Sequence, residues 1–230
     1  MSRSKGLFFV LDGPDGSGKT TQTELLARHL KQTGKKVLLV DFPQYHDSFF
    51  GGMVGEYLKG RYGNVFQISP YLSSTLYALD RWSAREKIAR ALKAGVIVLA
   101  NRFTSSNIIH QGAKINHPSD RKKYFAWVEQ MEYKVLGIPR PTKVIFLDVP
   151  TRISWKLIES RNRTGYAAGS KRDEHEKSKD HLTKAYHNAR TYAQHHRDWI
   201  IVPCTKGEQL LSPLEVHKKL FEAIQKILGA

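Results

Sequence analysis

Leu7-Phe8-Phe9-Val10-Leu11-Asp12-Gly13-Pro14-Asp15-Gly16-Ser17-Gly18-Lys19-Thr20 is the stretch that decides how the chain is read. Five apolar residues, stopped by Asp12 and Gly13, have the length of a strand buried on both faces and fall far short of a signal core or a membrane span. Gly13 to Thr20 then match G-x-x-x-x-G-K-[ST] in full, and helical spacing of apolar residues begins at once behind them. A strand, a glycine-rich turn and a helix form the setting this phosphate-binding motif needs. The glycines let backbone N–H groups converge on phosphate oxygens, and the helix N-terminus adds its partial positive charge. Lys19 is expected to reach the β- and γ-phosphates of a nucleoside triphosphate, with the Thr20 hydroxyl on Mg²⁺. Gly13, Asp15, Gly16, Ser17, Gly18, Lys19, Thr20 and Thr21 make up the expected cradle.

Outward from this stretch, residues 37–40, 96–99, 144–147 and 199–202 repeat the short apolar run, so five buried strands are expected. Helical spacing fills the intervals 20–31, 70–93, 120–136, 153–161, 173–196 and 213–228. Strands alternating with helices imply parallel pairing and right-handed crossovers, hence an α/β three-layer αβα sandwich on a five-stranded parallel sheet. Gly34, Gly95 and Gly137 stand just past three helices, where a left-handed residue commonly ends the last turn. No repeat, linker or low-complexity tract divides the chain, and 1–230 reads as a single domain. Residues 162–170, rich in Gly, Ala, Thr and Ser between two helices, read as a mobile loop.

Composition narrows the partners. Lysine and arginine number 37 against 21 acids, a formal net charge of +16, which favours anionic ligands, nucleotides and nucleic acids alike. Lysine-rich helix faces are usually only solvated, so position has to decide. The one cysteine, Cys204, cannot form an intramolecular disulfide, and no Cys or His cluster has metal-ligand spacing. His175, His181, His187, His195 and His196 read as helix surface, and the absence of an export signal or membrane span reads as cytoplasmic.

Arg161, Arg163, Lys171 and Arg172 put four cations and no acid within twelve residues on and beside the mobile loop. The stretch at about 161–172 reads either as a lid that can close over a triphosphate, expel water and neutralise the phosphoryl group in transit, or as a basic solvated loop. Gly16 leaves the cradle with no basic residue beyond Lys19, so a transition-state arginine has to come from elsewhere, and the lid is the donor. The run 96–99 leads into Arg102 at the carboxyl edge of a central strand, where it clamps phosphate or pairs with a carboxylate. Tyr77 and Arg81, four residues apart on one helix face, either stack on and hydrogen-bond a nucleobase or form a core aromatic beside a surface arginine.

From Gly6 to about Cys204 the chain resembles the thymidylate kinase family, which implies the P-loop NTPase (nucleotide kinase) fold. Four segments carry the resemblance in the family's order: the glycine-rich loop with Asp15 in its third position; Asp41-Phe42-Pro43-Gln44-Tyr45; Leu76-Tyr77-Ala78-Leu79-Asp80-Arg81-Trp82; and Asn101-Arg102-Phe103 through Ser106-Asn107 to Gln111-Gly112. The resemblance implies transfer from Mg-ATP to dTMP by a homodimer, with Lys19, Arg102, Asp15, Arg163 and Arg172 catalytic and with Thr20 and Asp15 at the Mg²⁺. It implies that Asp15 meets the deoxyribose 3′-hydroxyl, that Tyr77 stacks on thymine and Arg81 bonds its carbonyl, and that Ser106 and Asn107 read the base edge. Arg102 would bridge the two phosphates and Tyr45 would sit on the phosphate side, with Phe42, Pro43 and His110 completing the acceptor group. Arg163, Lys171 and Arg172 fall in the family's lid. Three positions depart from the family pattern: Asn101 for an aspartate, Gln44 for an arginine, and His110 for the aromatic residue that excludes a ribose 2′-hydroxyl.

A phosphate acceptor, whose second pKa is about 6, is largely dianionic at neutral pH and needs no general base. A deoxynucleoside kinase of the same fold must deprotonate a hydroxyl and so needs a carboxylate, for which Asp41 is the candidate. A P-loop switch or nucleic-acid-dependent ATPase would instead use the basic surface as a platform. The four segments favour small nucleotides, ATP and dTMP, over nucleic acid or membrane as partners.

Overall fold

The computed structural model describes residues 6–163 and 178–229, the side chains of 160–163 excepted. At its centre β1 (Phe8–Asp12) has all five residues buried, and it lies between β3 (Ile97–Asn101) and β4 (Lys143–Asp148). With β2 (Val37–Asp41) and β5 (Trp199–Pro203) outermost, the order is β2-β3-β1-β4-β5 and every pairing is parallel. Alternation along the strands divides the core into two. Phe9, Leu11, Leu99, Ile145 and Leu147 face α1 (Lys19–Gln32) and α9 (Pro213–Leu228), packing on Leu26, Leu30, Leu220 and Ile224. Phe8, Val10, Val98, Val144 and Phe146 face the other way, toward Ile88, Tyr124, Val128, Ala189 and Tyr192. Those residues belong to α4 (Arg85–Lys93), α6 (Pro118–Glu129) and α8 (Lys179–His195), so the expected three-layer sandwich is the fold observed.

Because all five strands run the same way, Asp12, Asp41, Asn101 and Asp148 end at one edge of the sheet. The order reverses across β1, and the crevice at that reversal is where such sheets take ligands. Gly34, Gly95 and Gly137 hold φ of 79°, 76° and 64°, the left-handed conformation expected of them.

The remaining elements differ from the sequence reading for local reasons. The stretch read as one helix over 70–93 is two, α3 (Pro70–Ser83) and α4, separated at Ala84. The Asp80 carbonyl that Ala84 N–H would need accepts instead from Ser83 Oγ at 2.6 Å and Gln44 Nε2 at 3.2 Å, and Ala84 N–H turns to Arg81 O. The helix read over 120–136 loosens after Glu129 into a π-helical turn, Gln130–Val135. Beyond β3, a short α5 (Thr104–Ser106) passes into a second π-helical segment, Asn107–Gln111. A small hairpin of β6 (Thr205–Lys206) and β7 (Gln209–Leu210) follows β5. Between β4 and α8 runs α7 (Thr151–Arg163); the rest of the expected lid, with Lys171, Arg172 and His175 and the side chains of Arg161 and Arg163, lies outside the described residues. No helix among the described residues is long and apolar enough to cross a membrane.

The sequence reading missed α2 (Phe49–Leu58), whose glycines Gly51, Gly52 and Gly55 weaken its helix signal. Ser48 caps it, taking Gly51 N–H on Oγ at 2.8 Å, and a Cβ at Gly51 would lie 2.0 Å from the Gln44 carbonyl oxygen. Gly51→Ala is therefore expected to destabilise the fold by about 1–3 kcal/mol, the usual cost of overpacking. Urea unfolding checks it: the midpoint should fall with the slope unchanged, and an unaltered midpoint contradicts the close approach.

Candidate active site

The loop from Gly13 to Gly18 joins β1 to α1, and Gly16 and Gly18 take the left-handed φ of 81° and 84° that the tight cradle requires. Lys19 curls back into the loop, donating from Nζ to Gly13 O at 3.0 Å and Pro14 O at 2.8 Å. Ser17 Oγ is buried with no hydrogen-bond partner, while Thr20 and Thr21 stand exposed on the first helical turn. Across from them Asn101 donates from Nδ2 to Thr20 Oγ1 at 3.2 Å, and its Oδ1 is buried with no hydrogen-bond partner. A buried oxygen acceptor beside a helix-terminal hydroxyl suits the hard oxygen coordination of Mg²⁺, directly or through its water. Among the described residues no group of three or more His, Cys, Asp or Glu forms a metal site.

Asp12 anchors the loop from beneath. Fully buried, it accepts from Gly13 N at 2.8 Å, Ser105 Oγ at 2.6 Å and Ser106 Oγ at 2.7 Å. The Ser106 hydroxyl hydrogen, expected at a base edge, is thereby committed to Asp12. Arg102 directly follows β3 with φ at 61°, a left-handed backbone that costs a non-glycine residue about 1–2 kcal/mol. Its N–H is held by Leu11 O at 2.9 Å, and its guanidinium donates to Asp15 Oδ1 from Nη2 and to His110 Nε2, 3.2 Å from Nη1. Lys19 Nζ lies 3.9 Å from the same Asp15 oxygen. Burial raises the Asp15 pKa, but the charges of Arg102 and Lys19 outweigh it and hold the carboxyl well below the usual carboxylate range. Burial pushes His110 down to about 3, so its ring is neutral, accepts at Nε2 and carries its proton on Nδ1.

All ten residues expected to hold the acceptor, Asp15, Phe42, Pro43, Tyr45, Tyr77, Arg81, Arg102, Ser106, Asn107 and His110, line one cleft with about 530 Å³ of empty space, together with Leu58 and Gln111. Phe42 packs edge-on to Phe103 at 5.5 Å and Tyr77 edge-on to Tyr57 at 6.0 Å, so apolar rings form the walls. Arg81 is no surface arginine: it is 2% exposed and makes a bidentate pair with Glu132, Nε to Oε2 and Nη2 to Oε1, both 2.7 Å. Asn107 shares that carboxylate, donating from Nδ2 to Oε1 at 2.9 Å and to Ser74 O at 3.2 Å. Gln44 is turned away onto Asp80, and Asp41 is exposed outside the cleft lining.

His181, read as helix surface, is buried instead. It lies in the first turn of α8, which Ser178 caps, with Phe66 edge-on at 5.3 Å and the His110 ring at 6.1 Å. Asp12 and Glu132 also escaped the sequence reading. Asp12 had a signal, as the acid that stops the first apolar run; Glu132 had none, because its stretch reads as an ordinary amphipathic helix.

A glycine-rich phosphate loop and a ring-lined cleft, joined by Arg102 at the carboxyl edge of a parallel sheet, define an ATP-dependent kinase of nucleoside monophosphates. Comparison with known proteins narrows the class. The family model described as thymidylate kinase matches residues 11–212. A thymidylate kinase of Mycobacterium tuberculosis is 30% identical over 171 residues, 74% of this chain and 78% of that protein. A probable thymidylate kinase of Pyrococcus abyssi is 35% identical over 159 residues, covering 68% and 72% respectively. A third, from Thermosipho africanus, is 31% identical over 157 residues, covering 68% and 73%. The chain belongs to the thymidylate kinase family.

Burial pushes His181 down to about 4, as it pushes His110 to about 3, both from 6.5. Between pH 6.5 and about 5 the unfolded chain therefore binds protons that the folded protein refuses, so stability falls as pH falls, by about 1.4 kcal/mol per pH unit for each histidine fully in play. Asp15 acts in the same direction, but only below its ordinary value of 3.8, outside this window. Urea unfolding across the window should show the decline, and His181→Gln should flatten it; a pH-independent unfolding free energy contradicts neutral burial.

Proposed function

We propose that this protein transfers the γ-phosphoryl group of ATP to dTMP, releasing ADP and dTDP, a step toward dTTP. The observation that carries the reading is the convergence of all ten acceptor residues on one cleft beside the phosphate loop, with Arg102 touching Asp15 on one side and His110 on the other. A phosphorylated acceptor in that cleft brings its own anionic nucleophile, so the work left to the protein is positioning and charge neutralisation. Tyr77 and Phe42 hold the base, Arg81 and Asn107 read its edge, and Asp15 and Tyr45 orient sugar and phosphate. Lys19 follows the donor phosphates, Arg102 bridges donor and acceptor, and Arg163 and Arg172 bring lid cations to the phosphoryl group in flight. Thr20, with Asp15 and Asn101, would hold Mg²⁺, which would add to the neutralisation of the triphosphate. We take a homodimer, which the family resemblance implies, as the working form. We place the enzyme in the cytoplasm.

The nucleoside kinase reading is weaker on the same geometry. It needs a carboxylate able to take a proton beside the acceptor, yet Asp41 lies outside the cleft lining and Asp15, the acid within it, is paired with Arg102. No feature of the cleft calls for nucleic acid.

ATP turnover is expected to depend on dTMP in a coupled assay over mono- and unphosphorylated nucleosides. Turnover driven by thymidine and not dTMP would overturn the reading. Arg102→Ala is expected to lower kcat by about two orders of magnitude or more, because charge stabilisation inside the closed site is lost. An unchanged rate in single-turnover measurements removes Arg102 from its bridging position.

A further inference from the structure

Glu132 is fully buried, yet it touches two residues of the acceptor cleft. Four donors converge on its carboxylate: Arg81 Nε and Thr104 Oγ1 on Oε2, each at 2.7 Å, and Arg81 Nη2 at 2.7 Å and Asn107 Nδ2 at 2.9 Å on Oε1. These contacts decide what the cleft offers a base. The Asn107 amide cannot turn over without setting its carbonyl against two acceptors, Glu132 Oε1 and Ser74 O, so Oδ1 is the atom it has left for a ligand. Arg81 spends Nε and one Nη2 hydrogen on Glu132, which leaves the two Nη1 hydrogens and the second on Nη2 as its donors at the cleft it lines. One residue therefore keeps an acceptor and the other keeps donors, both on the lining of the same cleft and both held by the same carboxylate oxygen.

We propose that Glu132 is the positioning residue for base selection, fixing Asn107 as acceptor and Arg81 as donor so that the cleft takes a base with an N–H next to a carbonyl. Thymine and uracil present N3–H beside O4. Cytosine presents an acceptor at N3 and an amino group at C4, which sets like against like at both positions. The proposal rests on the acceptor being a pyrimidine monophosphate, as above.

The test compares the full-length protein with Glu132→Gln in steady-state assays of dTMP and dCMP. Gln replaces one acceptor oxygen with a donor facing donors, so KM for dTMP should rise on the order of tenfold or more, kcat should fall by less, and the preference for dTMP over dCMP should shrink. A merely structural ion pair would lower Tm without moving that preference. A folded Glu132→Gln protein with KM and preference unchanged, or with its whole loss in kcat, overturns the proposal. Should Glu132→Gln not fold, Thr104→Val removes one donor to Oε2 and leaves the Arg81 pair. It should raise KM for dTMP a few-fold with KM for ATP unaltered, and an unaltered KM for dTMP counts against Glu132 just as firmly. Wild-type protein with no dTMP turnover would sink the proposed function and this inference together. Turnover of dTMP by wild type with an indifferent variant sinks the inference alone.

Discussion

The ion pair between Arg102 and Asp15 joins the two halves of the site. Asp15 belongs to the phosphate loop after β1 and Arg102 to the turn after β3, and the neighbouring parallel strands carry both to the same edge. Each needs the other. An arginine and a carboxylate brought this close in a poorly hydrated crevice hold their charges because they are paired, and removing either one strands its partner at a cost of several kcal/mol. Lys19, packed against the carbonyls of Gly13 and Pro14, sits under the same constraint, and Asp12 below completes a balance of two carboxylates with two cations. His110 adds no charge. The left-handed backbone at Arg102 is the local strain that aims the guanidinium across the gap, and the hydrogen bond from its N–H to Leu11 O holds it there.

Around this centre, polar side chains enter the core where helices depart from regularity. Asn107 begins one π-helical segment and Glu132 lies in another, and the two meet through one hydrogen bond. An inserted residue shifts the helical phase, so a side chain that regular geometry sends outward turns inward, and such insertions concentrate at functional sites. The break at Ala84 has the same character. Ser83 and Gln44 capture the Asp80 carbonyl, α3 ends, and Arg81 near its last turn is directed at Glu132.

The strands, the phosphate loop and the left-handed glycines were legible because each rests on a local rule: length of apolar run, motif spacing, and the tolerance of glycine for positive φ. The acceptor residues were legible only through family resemblance, since i, i+4 spacing left Tyr77 and Arg81 open between base contact and ordinary packing. Burial of Arg81 excludes the surface arginine of the second alternative, and its partner Glu132 is 51 residues away, with nothing in either local pattern to connect them. His181 was misread for a related reason. Histidine among lysines on a polar helix looks solvated, and only the packing of α8 against Phe66 and the His110 segment covers it. Glycines hid α2, whose stability comes from its Ser48 cap and its contacts with α3 and not from propensity.

The three departures from the family pattern bear on charge. Asn101 stands where an aspartate is usual; it bonds Thr20 and keeps a buried acceptor oxygen beside it, without adding a negative charge to Asp12 and Asp15. His110, neutral through burial, receives a hydrogen bond from Arg102 where a protonated ring would repel it. Gln44 braces Asp80 and leaves one fewer cation facing the cleft. Asn101 withholds one negative charge and Gln44 one positive charge, so the site keeps its overall balance while neutral hydrogen bonds replace fixed charges at its margin. On the proposed function, phosphate neutralisation would rest the more on Lys19 and Arg102. Among the described residues Arg102 would bear most of it, because it contacts both Asp15 of the glycine-rich loop and the His110 ring of the cleft lining.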